Sequence, residues 1–153
     1  MQRLLLFFIC LITSATVAGG QTNFKLKIGA KLPRKDAAES NSLIATHPSQ
    51  TRPFIQKTIC GVKYIIAFEE ETRKIRFIHT LDRNFRTTMG LRVGSQLTVT
   101  RAQITIYPSW YILAPGTPDG WQPIVIGDEE LLGKLKDGEG VTVTIGGFIK
   151  GGN

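Results

Sequence analysis

Cysteine is scarce in this chain: Cys10 and Cys60 are the two it has. Cys10 sits in the first apolar run, so a chain that loses that run keeps Cys60 alone. One cysteine cannot close an internal disulfide, which excludes a disulfide-stapled scaffold. Cys60 lies in Thr58-Ile59-Cys60-Gly61-Val62. That apolar context predicts a buried core thiol, with an inter-chain bridge or a reactive thiol as the alternatives. Histidine is equally scarce. His47 and His79 have no paired spacing, so the convergent ligands of a metal site are not visible. There is no Gly-x-Ser-x-Gly elbow, and no glycine-rich piece has phosphate-loop spacing with a helix after it. No metal, cofactor or catalytic residue is expected. The apolar run near the start is also too short to span a membrane, which takes about 20 apolar residues.

Acidic charge is thin in one part of the chain. Residues 21–101 carry 15 Lys or Arg against 6 Asp or Glu, a net of +9. Residues 102–153 carry 3 against 6, a net of −3. A basic surface attracts polyanions, or serves solubility alone. The first residues direct the choice of partner. Arg3 precedes the run Leu4-Leu5-Leu6-Phe7-Phe8-Ile9-Cys10-Leu11-Ile12, and small residues from Ser14 to Gly20 follow. This is the charged, apolar and small-residue order of a secretory signal peptide, cleaved after Ala18 or Gly20. Residues 1–20 are therefore expected to be removed, leaving a secreted or periplasmic chain with no transmembrane segment. For such a chain the expected partner is an anionic polysaccharide, an anionic lipid or another protein, and nucleic acid is disfavoured.

The mature chain is long enough for one core and too short for two. Residues 21–53 are poor in large apolar side chains and rich in Lys, Arg, Ser, Pro and Thr, which predicts a flexible basic arm or linker. Residues 54–149 read as a single β-rich domain. Thr58 to Phe68 is dense in β-formers. Glu69-Glu70-Glu71-Thr72 is a polar turn, and Arg73 to Thr80 alternates, so a hairpin is expected. Further strands are expected over 96–101, 103–107, 110–113 and 123–126, and over 141–145. Ala114 to Gly120 has strong turn chemistry, and a short helix is expected from Glu129 to Lys136, capped by Asp128. Residues 150–153 read as a tail. The expected class is mainly β: an antiparallel sheet, small barrel or sandwich of six or seven strands with one short helix in the C-terminal half.

Two groups of residues are candidate binding sites. Arg76, Arg83, Arg86 and Arg92 fall in a stretch opposed only by Asp82, and the guanidinium fork matches carboxylate and phosphate. If they meet in space they form an anion-binding face; otherwise they are solvated charges paired with Glu69–Glu71. Trp110 and Trp121 flank the long turn and either stack on a ligand or anchor the loop in the core. His79 ends a strand beside Asp82 and either serves as an acid or base or simply completes the strand. The function these features imply is an exported, non-enzymatic binding or interaction protein. The alternatives are a small secreted hydrolase using Asp82, Asp119 and Glu69–Glu71 from distant loops, and a structural envelope module.

Ile75-Arg76-Phe77-Ile78, followed by Asp82-Arg83-Asn84-Phe85-Arg86-Thr87-Thr88-Met89-Gly90-Leu91-Arg92-Val93-Gly94, resembles a pattern in small uncharacterised exported bacterial proteins. In these a strand leads into a loop of aspartate, phenylalanine and threonine that ends in Gly-Leu-x-Val-Gly. The resemblance covers about twenty residues and implies a bacterial origin. In physical terms Phe85 can plug the core while Gly90 and Gly94 permit sharp turns.

Overall fold

The computed structural model describes residues 26–47, 50–107, 110–126, 129–135 and 139–151. The expected signal peptide lies outside them. In chain order they form α1 (Arg34–Ala38), β1 (Leu43–His47), β2 (Gln50–Ile59), β3 (Val62–Phe68), β4 (Ile75–Thr80), β5 (Gln96–Val99), β6 (Ile104–Ile106), β7 (Trp110–Leu113), β8 (Gln122–Ile126), α2 (Glu129–Lys134), β9 (Val141–Thr144) and β10 (Gly147–Gly151). The fold is mainly β, as the sequence leads one to expect. Eight strands make one antiparallel sheet in the order β1-β2-β3-β4-β10-β8-β7-β6, and β5 pairs with β9 in a second. No helix among the described residues is long and apolar enough to cross a membrane.

Turn chemistry sets the first hairpins. Ile59 pairs with Val62, which leaves Cys60 and Gly61 as a two-residue loop with φ of 49° and 76°. A type I′ hairpin needs positive φ at both positions, and glycine adopts it freely. Cys60 is therefore exposed, in contrast to the expected core thiol: the turn carries it past the end of the sheet. In β4 the register shifts, because Ala67 faces Phe77 while Phe68 faces Ile75. Arg76 is the extra residue of this β-bulge.

The sheet has two different faces. On one, Ile55, Tyr64, Ile66, Phe68, Ile78 and Phe148 form the largest core, covered by Leu32, Phe85, Trp121 and Ile145 from connecting segments. On the other, Ala67, Phe77, Ile124 and Ile149 pack with Ile44, Phe54 and Ile112. Ile44 belongs to β1 and Ile112 to β7, six positions apart in the strand order. In a flat sheet they would lie about 29 Å apart at ~4.8 Å per strand. Their sharing one cluster means the sheet curls on itself, and the ring centroids of His47 and Tyr107, near its two edges, are 6.2 Å apart. A third cluster, including Val99, Tyr111, Leu113, Leu131, Leu135 and Val143, ties β5, β9 and α2 to the β6–β7 end.

Three further expectations are corrected. The described residues form ten strands, more than the six or seven expected. The expected arm is folded wherever residues 21–53 are described: Leu32 is fully buried, α1 and β1 lie within the segment, and β1 pairs with β2. Its backbone docks on the start of β4, with the Gly29 and Leu32 amides donating to the carbonyls of Ile75 and Arg73, and the Ile75 amide to Ala30. Lys57 adds an ion pair to the buried Asp36 at 2.8 Å. The expected tail begins inside β10, an interior strand flanked by β4 and β8.

Candidate functional site

The segment from Asp82 to Ser95 has no long strand, yet its backbone is fixed almost residue by residue. Asp82 Oδ2 accepts the Lys63 amide at 2.8 Å and Oδ1 accepts the Asn84 amide at 2.9 Å. The Asn84 side chain reaches the Gly61 carbonyl at 3.4 Å. Thr87 exchanges bonds with Leu91: its amide donates to the Leu91 carbonyl, and its Oγ1 accepts the Leu91 amide. Gly90 turns the chain at φ 80°. Thr88 donates its amide to Asp119 Oδ2 at 3.1 Å, and Gly94 and Ser95 pair with Ile145. Phe85 plugs the core, its ring 4.6 Å from Trp121 and 5.1 Å from Phe148.

This framework decides where the arginines point. Phe85 and Thr87 are buried, and Leu91 and Val93 are half-buried, while Arg86 and Arg92 between them are exposed. Arg86 and Arg92 are partners in an antiparallel bridge. Residues directly opposed in such a bridge share a face with Cβ atoms about 4.5–5.5 Å apart, and like charges so placed repel. Arg83 is exposed on the preceding turn. The structure thus groups Arg83, Arg86 and Arg92 on one pinned loop. Arg76 is not among them: its guanidinium bonds Glu69 at 3.1 Å at the start of β4, whereas the loop leaves the strand's far end.

The tryptophans separate. Trp121 is buried, stacks on Tyr64 at 6.3 Å and carries the Lys150 ammonium 5.6 Å from its ring centroid. Lys150 also donates to the Asp119 carbonyl at 2.6 Å. Trp121 therefore supports the loop through Phe85, and its ring is part of the core. Trp110 sits on β7 opposite Ile126; its side chain lies outside the described residues.

The acidic groups are committed to this architecture. Hydrogen bonds from the Asn84 and Lys63 amides hold the Asp82 carboxyl below its ordinary range against a small cost of burial. Burial pushes Asp119 upward, but donors on Thr117 and Thr88 outweigh it and the net shift is downward. Thr72 and Arg76 lower Glu69 in the same way. Among the described residues no group of three or more His, Cys, Asp or Glu is placed to hold a metal ion. His79, which the sequence leaves between two roles, is buried beside Phe77, and burial pushes its pKa down to about 4. A cleft beside it, lined by Gln56, Lys63, Ile65 and Leu81, was not visible in the sequence, because its walls come from three strands and a loop. No family model, curated protein or solved structure matches this chain.

Proposed function

We propose that the chain is an exported binding protein that uses the Asp82–Ser95 loop to hold an anionic polymer or surface of the cell envelope. The observation that carries this reading is the Arg86–Arg92 bridge. Two exposed arginines stand directly opposed on a loop whose backbone is held by hydrogen bonds. Their repulsion costs roughly 0.2–1 kcal/mol in the free protein, and an anion between them removes that cost. Arg83 adds a third exposed charge, while the neighbouring carboxylates of Asp82 and Asp119 face backbone amides. The same carboxylates fit a hydrolase poorly. A glycosidase-type acid needs a raised pKa, and both are held low.

The test is binding to polygalacturonate and to vesicles rich in anionic lipid across a salt series. Exposed charges act over about 8 Å at physiological salt and less above it, so binding weakens as salt rises. Replacing Arg83, Arg86 and Arg92 with Ser together reduces binding at least tenfold at low salt. The melting temperature stays level or rises slightly as the repulsion disappears. A triple variant that binds both anions like the parent protein refutes the reading.

A further inference from the structure

A cleft of about 430 Å³ opens beside the first residues of the loop, on the β2–β3–β4 part of the sheet. Its volume lies within the roughly 300–1,000 Å³ of small-molecule sites. Across the sheet Gln56, Ile65 and His79 stand in one register row, so their side chains share a face. Ile65 is half-buried there. Leu81 is 45% exposed, an apolar surface left open at a concavity.

The polar groups of the lining differ in what they have left to offer. Thr80 Oγ1 donates to the Lys63 carbonyl at 2.9 Å and accepts the Asp82 amide at 3.1 Å. Both Asp82 oxygens receive backbone amides. His79 is enclosed in the wall. The Lys63 ammonium and the Gln56 amide remain, both on exposed residues and neither in a hydrogen bond with another described side chain. Among the lining residues Lys63 is the cation and Asp82 the anion, so the rim carries no net formal charge and its positive end is local to the Lys63 ammonium. Such a rim complements one negative charge better than two.

We infer that this cleft binds a small monocarboxylate with an apolar body, its carboxylate on Lys63 and Gln56 and its chain along Ile65 and Leu81. The site adjoins the arginine loop at Asp82 but uses none of its arginines, and it does not depend on the anion-binding reading of that loop. The experiment is an amide NMR titration of the purified protein with octanoate, octylamine and octyl phosphate. Octanoate is expected to shift the amides of Ile65, His79 and Leu81 saturably, and octylamine is not. Lys63→Met weakens octanoate binding at least tenfold with an unchanged melting temperature, since Lys63 is exposed and its backbone bonds persist. The Arg83, Arg86 and Arg92 triple Ser variant keeps octanoate binding. Absence of saturable shifts overturns the inference, as does octylamine binding as well as octanoate. Octyl phosphate binding more tightly, or octanoate binding lost in the arginine variant and retained in Lys63→Met, overturns it too.

Discussion

Burial in the curled sheet keeps His79 neutral, and this has a consequence for stability at acidic pH. Its pKa is about 4 in the folded chain, against 6.5 unperturbed. The unfolded chain therefore takes up a proton between those values and the folded chain does not. Stability is complete above pH 6.5 and falls as pH drops toward 4, by up to about 3 kcal/mol. The carboxylates of Glu69, Asp82 and Asp119 are shifted in the same downward direction, so their contributions are also present above their unfolded pKa and are lost only toward and below the acidic end of the histidine's window. Urea denaturation at pH 7 and pH 5 is expected to show the parent protein losing stability and His79→Phe losing much less. Equal slopes in the two would show that the histidine is not the titrating group. At this scale Phe85 is readable as an apolar anchor of an otherwise polar loop, and it is buried in the core. Cys60 is not readable that way, because its surroundings in sequence are apolar while a two-residue turn places it outside the sheet.

Among the elements, β10 differs most from its sequence signal. A glycine-rich end reads as a tail, yet Gly147–Gly151 is the strand that joins β4 to β8 and so holds the two halves of the large sheet together. Glycine is there because the backbone approaches closely. A Cβ on Gly147 would lie 2.8 Å from the Thr80 carbonyl oxygen and 2.5 Å from Leu81 Cδ2, and one on Gly151 would lie 2.3 Å from the Arg76 carbonyl oxygen. Nothing local in the sequence encodes such contacts. The hairpin of β3 and β4 and the strands β5 to β9 were legible, since β-formers and turn residues alternate there over short distances. Gly147→Ala is expected to destabilise the protein by about 1–3 kcal/mol through overpacking. Gly133 in α2 has open space where a Cβ would stand, so Gly133→Ala is expected to stabilise by about 0.5–1 kcal/mol. Urea midpoints of the two variants should move in opposite directions. A shared direction would mean that the close approach at Gly147 relaxes without cost.

For the molecule as a whole, the decisive question is whether the segment before Phe54 belongs to the folding unit. Composition argues that it does not, because averaging over the segment hides its pattern. The pattern is strict: Leu26, Ile28 and Ala30 are half-buried and Leu32 is fully buried, while Lys27, Gly29 and Lys31 between them are exposed. Four apolar residues at period two suffice to seal one edge of the main core, which Leu32 completes. The same segment supplies β1, whose Ile44 reaches the cluster inside the curl. Removing it would expose both cores, and a domain with a margin of only about 5–15 kcal/mol cannot absorb that loss. A chain beginning at Phe54 is therefore expected to lose cooperative unfolding, with near-ultraviolet dichroism flattened. Single substitutions locate the effect without deleting a strand. Leu32→Ala is expected to cost about 2–5 kcal/mol, whereas Leu43→Ala, at a side chain 66% exposed on β1, should stay within about 0.5 kcal/mol. If the shortened chain unfolds cooperatively with the parent's midpoint and Leu32→Ala is neutral, the segment is an appendage and the core closes without it.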